Sequence, residues 1–187
     1  MKFKHLTMVA ALLAAAFTMQ AENLLTAPAS VYLDSRPGVK CVQDKKANTQ
    51  KLTVEKYAQD SEGNLCISAT LYYGGMAGDS VPGRGIAAEP GAAYTVSFEY
   101  RGDVPRFWFG AQEYTGASFW KDRKLLKKMV LTPSKDEWKK AECTVVTGAN
   151  CRRFGFYVNL YINEKDNIFD LKEGQSLQVR NAVIEKK

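Results

Sequence analysis

Two stretches of this sequence set flat aromatic rings and side-chain amides along one side of an extended chain. In the first, Trp108, Gln112 and Tyr114 share a side, with Gly110 leaving room between the aromatics. In the second, Tyr157, Asn159 and Tyr161 share a side, with Gly155 beside them. Rings of this kind can cover the apolar C–H face of a sugar, while amides read its hydroxyls. The same residues could instead pack under a loop or cover a sheet edge. Phe119 and Trp120 are further candidate platforms.

Other chemistry is restricted by what is missing. His5 is the only histidine, and it falls in a leader segment. Without it, Ser-His-Asp and Cys-His catalysis are excluded, as are zinc sites that use histidine. A pair of carboxylates could hydrolyse glycosides, but the acids are scattered through turns and no pair stands out. We expect no enzyme. Arg101-Gly102-Asp103 reads as a strand-ending turn rather than an adhesion motif.

Lys121, Arg123, Lys124, Lys127 and Lys128 form a basic cluster, which Lys139 and Lys140 could join. Such a cluster attracts anionic partners, an acidic glycan or an envelope surface. It also suits a solvated face or a sheet edge guarded against aggregation. Nucleic acid is not an expected partner, because no motif combines stacking with basic residues.

Residues 1–21 begin with Lys2 and Lys4, continue through an apolar run from Met8 to Phe17, and end in small residues at Ala21. This is the layout of a secretory signal peptide. The run is shorter than the roughly 20 residues a spanning helix needs. Residues 22–187 then make a single domain of ordinary size, periplasmic or extracellular, with no transmembrane segment. The chain carries a formal net charge of +6, and it stays basic after losing two lysines.

The four cysteines, Cys41, Cys66, Cys143 and Cys151, are even in number in an exported chain, which favours disulfides. The expected pairing is Cys143–Cys151 with Cys41–Cys66. If Val145 pairs with Ala149 around Gly148, a tight hairpin sets Cys143 opposite Cys151. A zinc site made of all four is the rival, though no CxxC spacing supports it.

These residues need strands to position them. Tyr94, Val96, Phe98 and Tyr100 alternate with Thr95, Ser97, Glu99 and Arg101, the period of a half-buried strand. Phe154, Phe156, Val158 and Leu160 do the same, as do Phe107 and Phe109. Further strands are expected near Leu24–Leu33, Lys51–Tyr57, Asn64–Tyr73, Trp138–Val146 and Leu177–Glu185. Trp120–Leu131 fits either a short helix or a strand, with strand preferred. Many short strands with turn residues between them predict an all-β sandwich or jelly roll.

Pro90-Gly91 followed by Tyr94-Thr95-Val96-Ser97-Phe98-Glu99-Tyr100-Arg101-Gly102 resembles a strand motif of carbohydrate-binding modules. Glu137-Trp138-Lys139-Lys140 with Cys143-Thr144-Val145, the last strand Val179–Ile184, and the opening Asn23-Leu24-Leu25 are similar to further family strands in the same order. The resemblance is to the cellulose- and xylan-binding β-sandwich modules with a galactose-binding-like jelly roll. It implies that fold, Trp138 in the core, and a non-catalytic glycan-binding role through exposed aromatics on one sheet face. Arg180-Asn181 replaces the family's Asp pair, which helps hold a structural calcium, so no cofactor is expected. The family usually rides on an enzyme. A copy without one could instead be a structural or protein-interaction sandwich of an envelope or extracellular assembly.

Overall fold

The computed structural model describes residues 22–25, 30–33, 38–44, 46–55, 58–59, 65–74, 85–116, 121–163 and 171–187. Residues 1–21, the expected leader, lie outside these. Twelve strands follow one another with no helix among the described residues: β1 Ser30–Leu33, β2 Val39–Asp44, β3 Thr49–Val54, β4 Ala58–Gln59, β5 Leu65–Tyr73, β6 Ile86–Ala87, β7 Ala93–Gly102, β8 Phe107–Tyr114, β9 Arg123–Leu131, β10 Lys139–Val146, β11 Arg153–Asn163 and β12 Ser176–Lys186. They form two antiparallel sheets. Sheet A runs β1-β5-β11-β8-β9, with β4 and β6 at its margins, and sheet B runs β10-β7-β12-β3-β2. This is a β-sandwich jelly roll.

The alternating patterns point where their apolar sides require. Tyr94, Val96, Phe98 and Tyr100 of β7 are buried from sheet B. Phe154, Phe156, Val158 and Leu160 of β11, with Phe107 and Phe109 of β8, are buried from sheet A. Between the sheets Phe98 meets Phe109 at 5.2 Å and Phe156 at 5.7 Å between ring centres, and Tyr73 stacks on Phe156 at 4.5 Å. Each such ring contributes about 1.5–3 kcal/mol by leaving water. The inner sides are thereby committed to the core, and the alternate residues must form the outer faces.

Two expectations change, at residues 22–25 and at the cysteines, while the strand preferred within Trp120–Leu131 forms. Residues 22–25 are not strand; Asn23 Oδ1 instead accepts the Ile184 and Leu25 N–H groups beside the bulge of β12. Trp120–Leu131 resolves to the strand Arg123–Leu131. The hairpin joining Cys143 to Cys151 does not form. Cys143 lies in sheet B opposite Val96, while Cys151 precedes β11 of sheet A. The connection between them crosses from one sheet to the other. Cys41, Cys143 and Cys151 are free thiols, so neither expected bridge is present. Cys66 lies outside the residues whose side chains are described.

Candidate outer-face site

The outer face of sheet A is built from cross-strand rows. Asn159 of β11 lies between Thr70 of β5 and Trp108 of β8, and Trp108 faces Val130 of β9. In the next row Tyr157 lies between Tyr72 and Gly110, and Gly110 faces Lys128. Then come Gly155 with Gln112, and Arg153 with Tyr114 and Arg123. The two sequence stretches are therefore neighbours on one surface, because β8 and β11 are adjacent antiparallel strands.

Their exposure is uneven. Trp108, Tyr157 and Asn159 are half-buried, whereas Gln112 and Tyr114 are buried at 1% and 4% exposure. Tyr114 and Gln112 thus form part of the floor rather than an exposed platform. Gln112 Nε2 donates to the Tyr114 hydroxyl. Tyr161 is opposite Ser68 in register, and its side chain, with Phe119 and Trp120, lies outside the described residues.

Sequence reading missed Tyr72. Its ring centre is 6.2 Å from that of Tyr157, and these two form a cluster with Tyr114. The alternation of Thr70 and Tyr72 with buried Ala69, Leu71 and Tyr73 would have placed it outside, but only the β5–β11 pairing sets it beside Tyr157.

Gly110 is the key spacer. The Tyr157 ring lies where a side chain at 110 would begin. Two amide oxygens on this face, Gln112 Oε1 and Asn159 Oδ1, are buried and accept no hydrogen bond among the described residues. Asn159 Nδ2 donates to Thr70 Oγ1 at 2.6 Å. Whichever way these amides are turned, one polar end of each lacks a partner. Burial lifts the Tyr157 hydroxyl above its ordinary pKa, against an opposing pull from the Arg123 cation. It is a neutral donor and acceptor near neutral pH.

The basic cluster divides between strands. Arg123, Lys124, Lys127 and Lys128 are exposed along β9, the edge of sheet A, with Lys121 exposed just before it. Lys139 and Lys140 belong to β10, at the edge of sheet B. Lys128 Nζ sits 3.0 Å from the centre of the Trp108 ring, a cation–π contact across the two strands.

Trp138 is not a core residue. It is half-buried on the outer face of sheet B, with the Arg180 and Arg101 guanidinium carbons 3.9 and 4.7 Å from its ring. Arg180 Nε also donates to Glu99 Oε2 at 2.7 Å, and Asn181 Nδ2 reaches the same oxygen. The position at which the resemblance implies calcium-binding acids thus holds a cation already paired with Glu99, which does not fit a calcium ion. Asp103 accepts the Ser176 N–H at 2.6 Å, so Arg101 and Asp103 both have structural ties. Among the described residues no group of three or more His, Cys, Asp or Glu side chains could hold a metal, and no helix is long and apolar enough to cross a membrane.

Two packed antiparallel sheets with an aromatic outer face define the class, a β-sandwich jelly roll. Solved structures of similar fold include the enzymatically active domain of tailspike protein 4 from bacteriophage CBA120, at TM-score 0.52 and 9% identity. That likeness covers 89% of this chain and 20% of the tailspike chain. A CBM61 module in complex with β-1,4-galactotriose is similar at TM-score 0.49 and 12% identity, covering 89% of this chain and all of that one. The N-terminal cellulose-binding domain of Cellulomonas fimi β-1,4-glucanase C is similar at 0.48 and 10%, covering 88% and 93%. No family model and no curated protein matches.

Proposed function

We propose that this chain is an exported, non-catalytic glycan-binding protein whose binding surface is the outer face of sheet A. One observation carries this reading: Trp108, Tyr157 and Asn159 sit in adjacent cross-strand positions, with the Tyr157 ring laid over Gly110. Half-buried rings are held in place by their neighbours, so little freedom is lost when a sugar stacks on them. Gln112 and Asn159 each keep one amide end unpartnered in the floor beside these rings, which a sugar hydroxyl reaching the floor would satisfy. The sequence resemblance to carbohydrate-binding modules supports the same surface, and the leader-like residues 1–21 support export.

The test is binding of the purified domain to a panel of neutral and acidic glycans. Binding that disappears in Trp108→Ala and Tyr157→Ala, with both variants folded, supports the reading. Failure of every glycan to bind would leave a structural or protein-interaction role as the better account.

A further inference from the structure

We propose that the glycan taken by this face is a linear acidic polysaccharide, with Lys128 as the residue that meets its acid groups. This rests on the glycan-binding reading above and goes beyond it by naming the ligand's charge. The motivating contact is that of Lys128 Nζ with the Trp108 ring, 3.0 Å from its centre. A pyranose stacking on that side of Trp108 must first displace the ammonium. A neutral sugar offers the ammonium only hydroxyls in return. A carboxylate or sulfate offers a charge-assisted hydrogen bond, which is stronger than the contact given up at a surface site. An acid group would therefore draw Lys128 off the ring and uncover the stacking face in one movement.

The rest of the face carries the same sign. The charged side chains that the described strands place there are Lys128, Arg123 and Arg153. Arg123 and Arg153 flank Tyr114 in a single row, four residues along β8 from the Gly110–Lys128 row. At about 3.3 Å per residue the two rows are about 13 Å apart. Between them lie Gly110, Gln112 and the Tyr157 ring. Positive charge at both ends of an aromatic and amide floor suits a polymer with repeated acid groups better than one isolated charge.

The experiment measures binding of the purified chain, at low and high salt, to polygalacturonate, to chondroitin sulfate and to neutral galactan. Wild type is compared with Lys128→Gln and with Lys127→Gln, a charge-matched control on the opposite side of the same strand. We expect one or both acidic polymers to bind, Lys128→Gln to weaken that binding about tenfold, and Lys127→Gln to change it less than twofold. We also expect Lys128→Gln to strengthen galactan binding, because the Trp108 ring is uncovered. The carboxylate and sulfate arms separate the two acid chemistries. Tight galactan binding that Lys128→Gln leaves alone or weakens would overturn the acidic-ligand inference while leaving the glycan reading intact. Equal losses in the two lysine variants, or equal binding to phosphatidylserine vesicles, would overturn it in favour of general charge attraction. Failure of every glycan would overturn both.

Discussion

The ring of Tyr157 lies across Gly110 of the neighbouring strand, in the space that a side chain at 110 would occupy. Gly110 is thus part of the candidate site although it has no side chain to contribute. A methyl group there meets the far end of a tyrosine, which can swing aside. Gly110→Ala should therefore cost about 1 kcal/mol, the low end for overpacking, yet displace Tyr157 and reduce glycan binding. Gly85 is different, because its φ is +87° and a Cβ would stand 2.6 Å from the backbone oxygen of Phe154. Gly85→Ala should cost at least about 2 kcal/mol. Urea denaturation of both variants checks the order, and equal costs would contradict it.

Cys41, Cys143 and Cys151 should behave as protected thiols. Burial is the main cause raising each pKa, and at Cys151 the Glu113 carboxylate pushes in the same direction. Less thiolate means slower alkylation. Iodoacetamide at about pH 8 should label these cysteines much more slowly in the native protein than in denaturant. Peptide mapping of the unreduced chain that found Cys143 joined to Cys151 would contradict the cross-sheet connection.

Alkaline pH should destabilise the fold through Tyr73. Its hydroxyl donates to buried Gln50 Oε1 at 2.9 Å, and burial, then the Cys41 charge, push its pKa far above the ordinary value. The folded state therefore keeps a proton that the unfolded chain releases near pH 10. This stabilisation is complete below about pH 10 and lost as pH rises beyond it. Tyr73→Phe should be about 1–2 kcal/mol less stable at neutral pH, because Gln50 loses its donor. Its stability should fall less steeply above pH 10 than that of wild type. Urea midpoints across about pH 8–11 measure both effects, and parallel curves would refute the assignment.

Glu113 should hold the passage between the sheets. Its side chain is 2% exposed, and Oε2 accepts the Gly148 N–H at 2.6 Å. Thr147 ties the same segment to Glu89 O at 2.7 Å and receives the Ala92 N–H. Glu113→Ala removes a buried charged acceptor from the half-buried Gly148 amide and should cost about 1.5–3 kcal/mol. Glu113→Gln keeps an acceptor and should cost less. Hydrogen exchange at the Gly148 amide should quicken in Glu113→Ala, and an unchanged rate would remove Glu113 from this role.

The sequence by itself determined which side of several strands faces inward. Side chains alternate across a strand, so Tyr94, Val96, Phe98 and Tyr100, or Phe154 through Leu160, declare their buried side without reference to any partner. The same rule put Trp108, Gln112 and Tyr114 on one outer side and Tyr157 and Asn159 on another. Only the tertiary structure decided that these sides form one face, because antiparallel pairing of β8 with β11 joins residues about fifty apart in the chain. Pairing likewise brought Tyr72 to Tyr157 and Lys128 over Trp108, and sent Cys143 and Cys151 to different sheets. Burial of Gln112 and Tyr114 was also decided there. Alternation is set by the geometry of one strand, whereas register and partner depend on how every strand shares the same core.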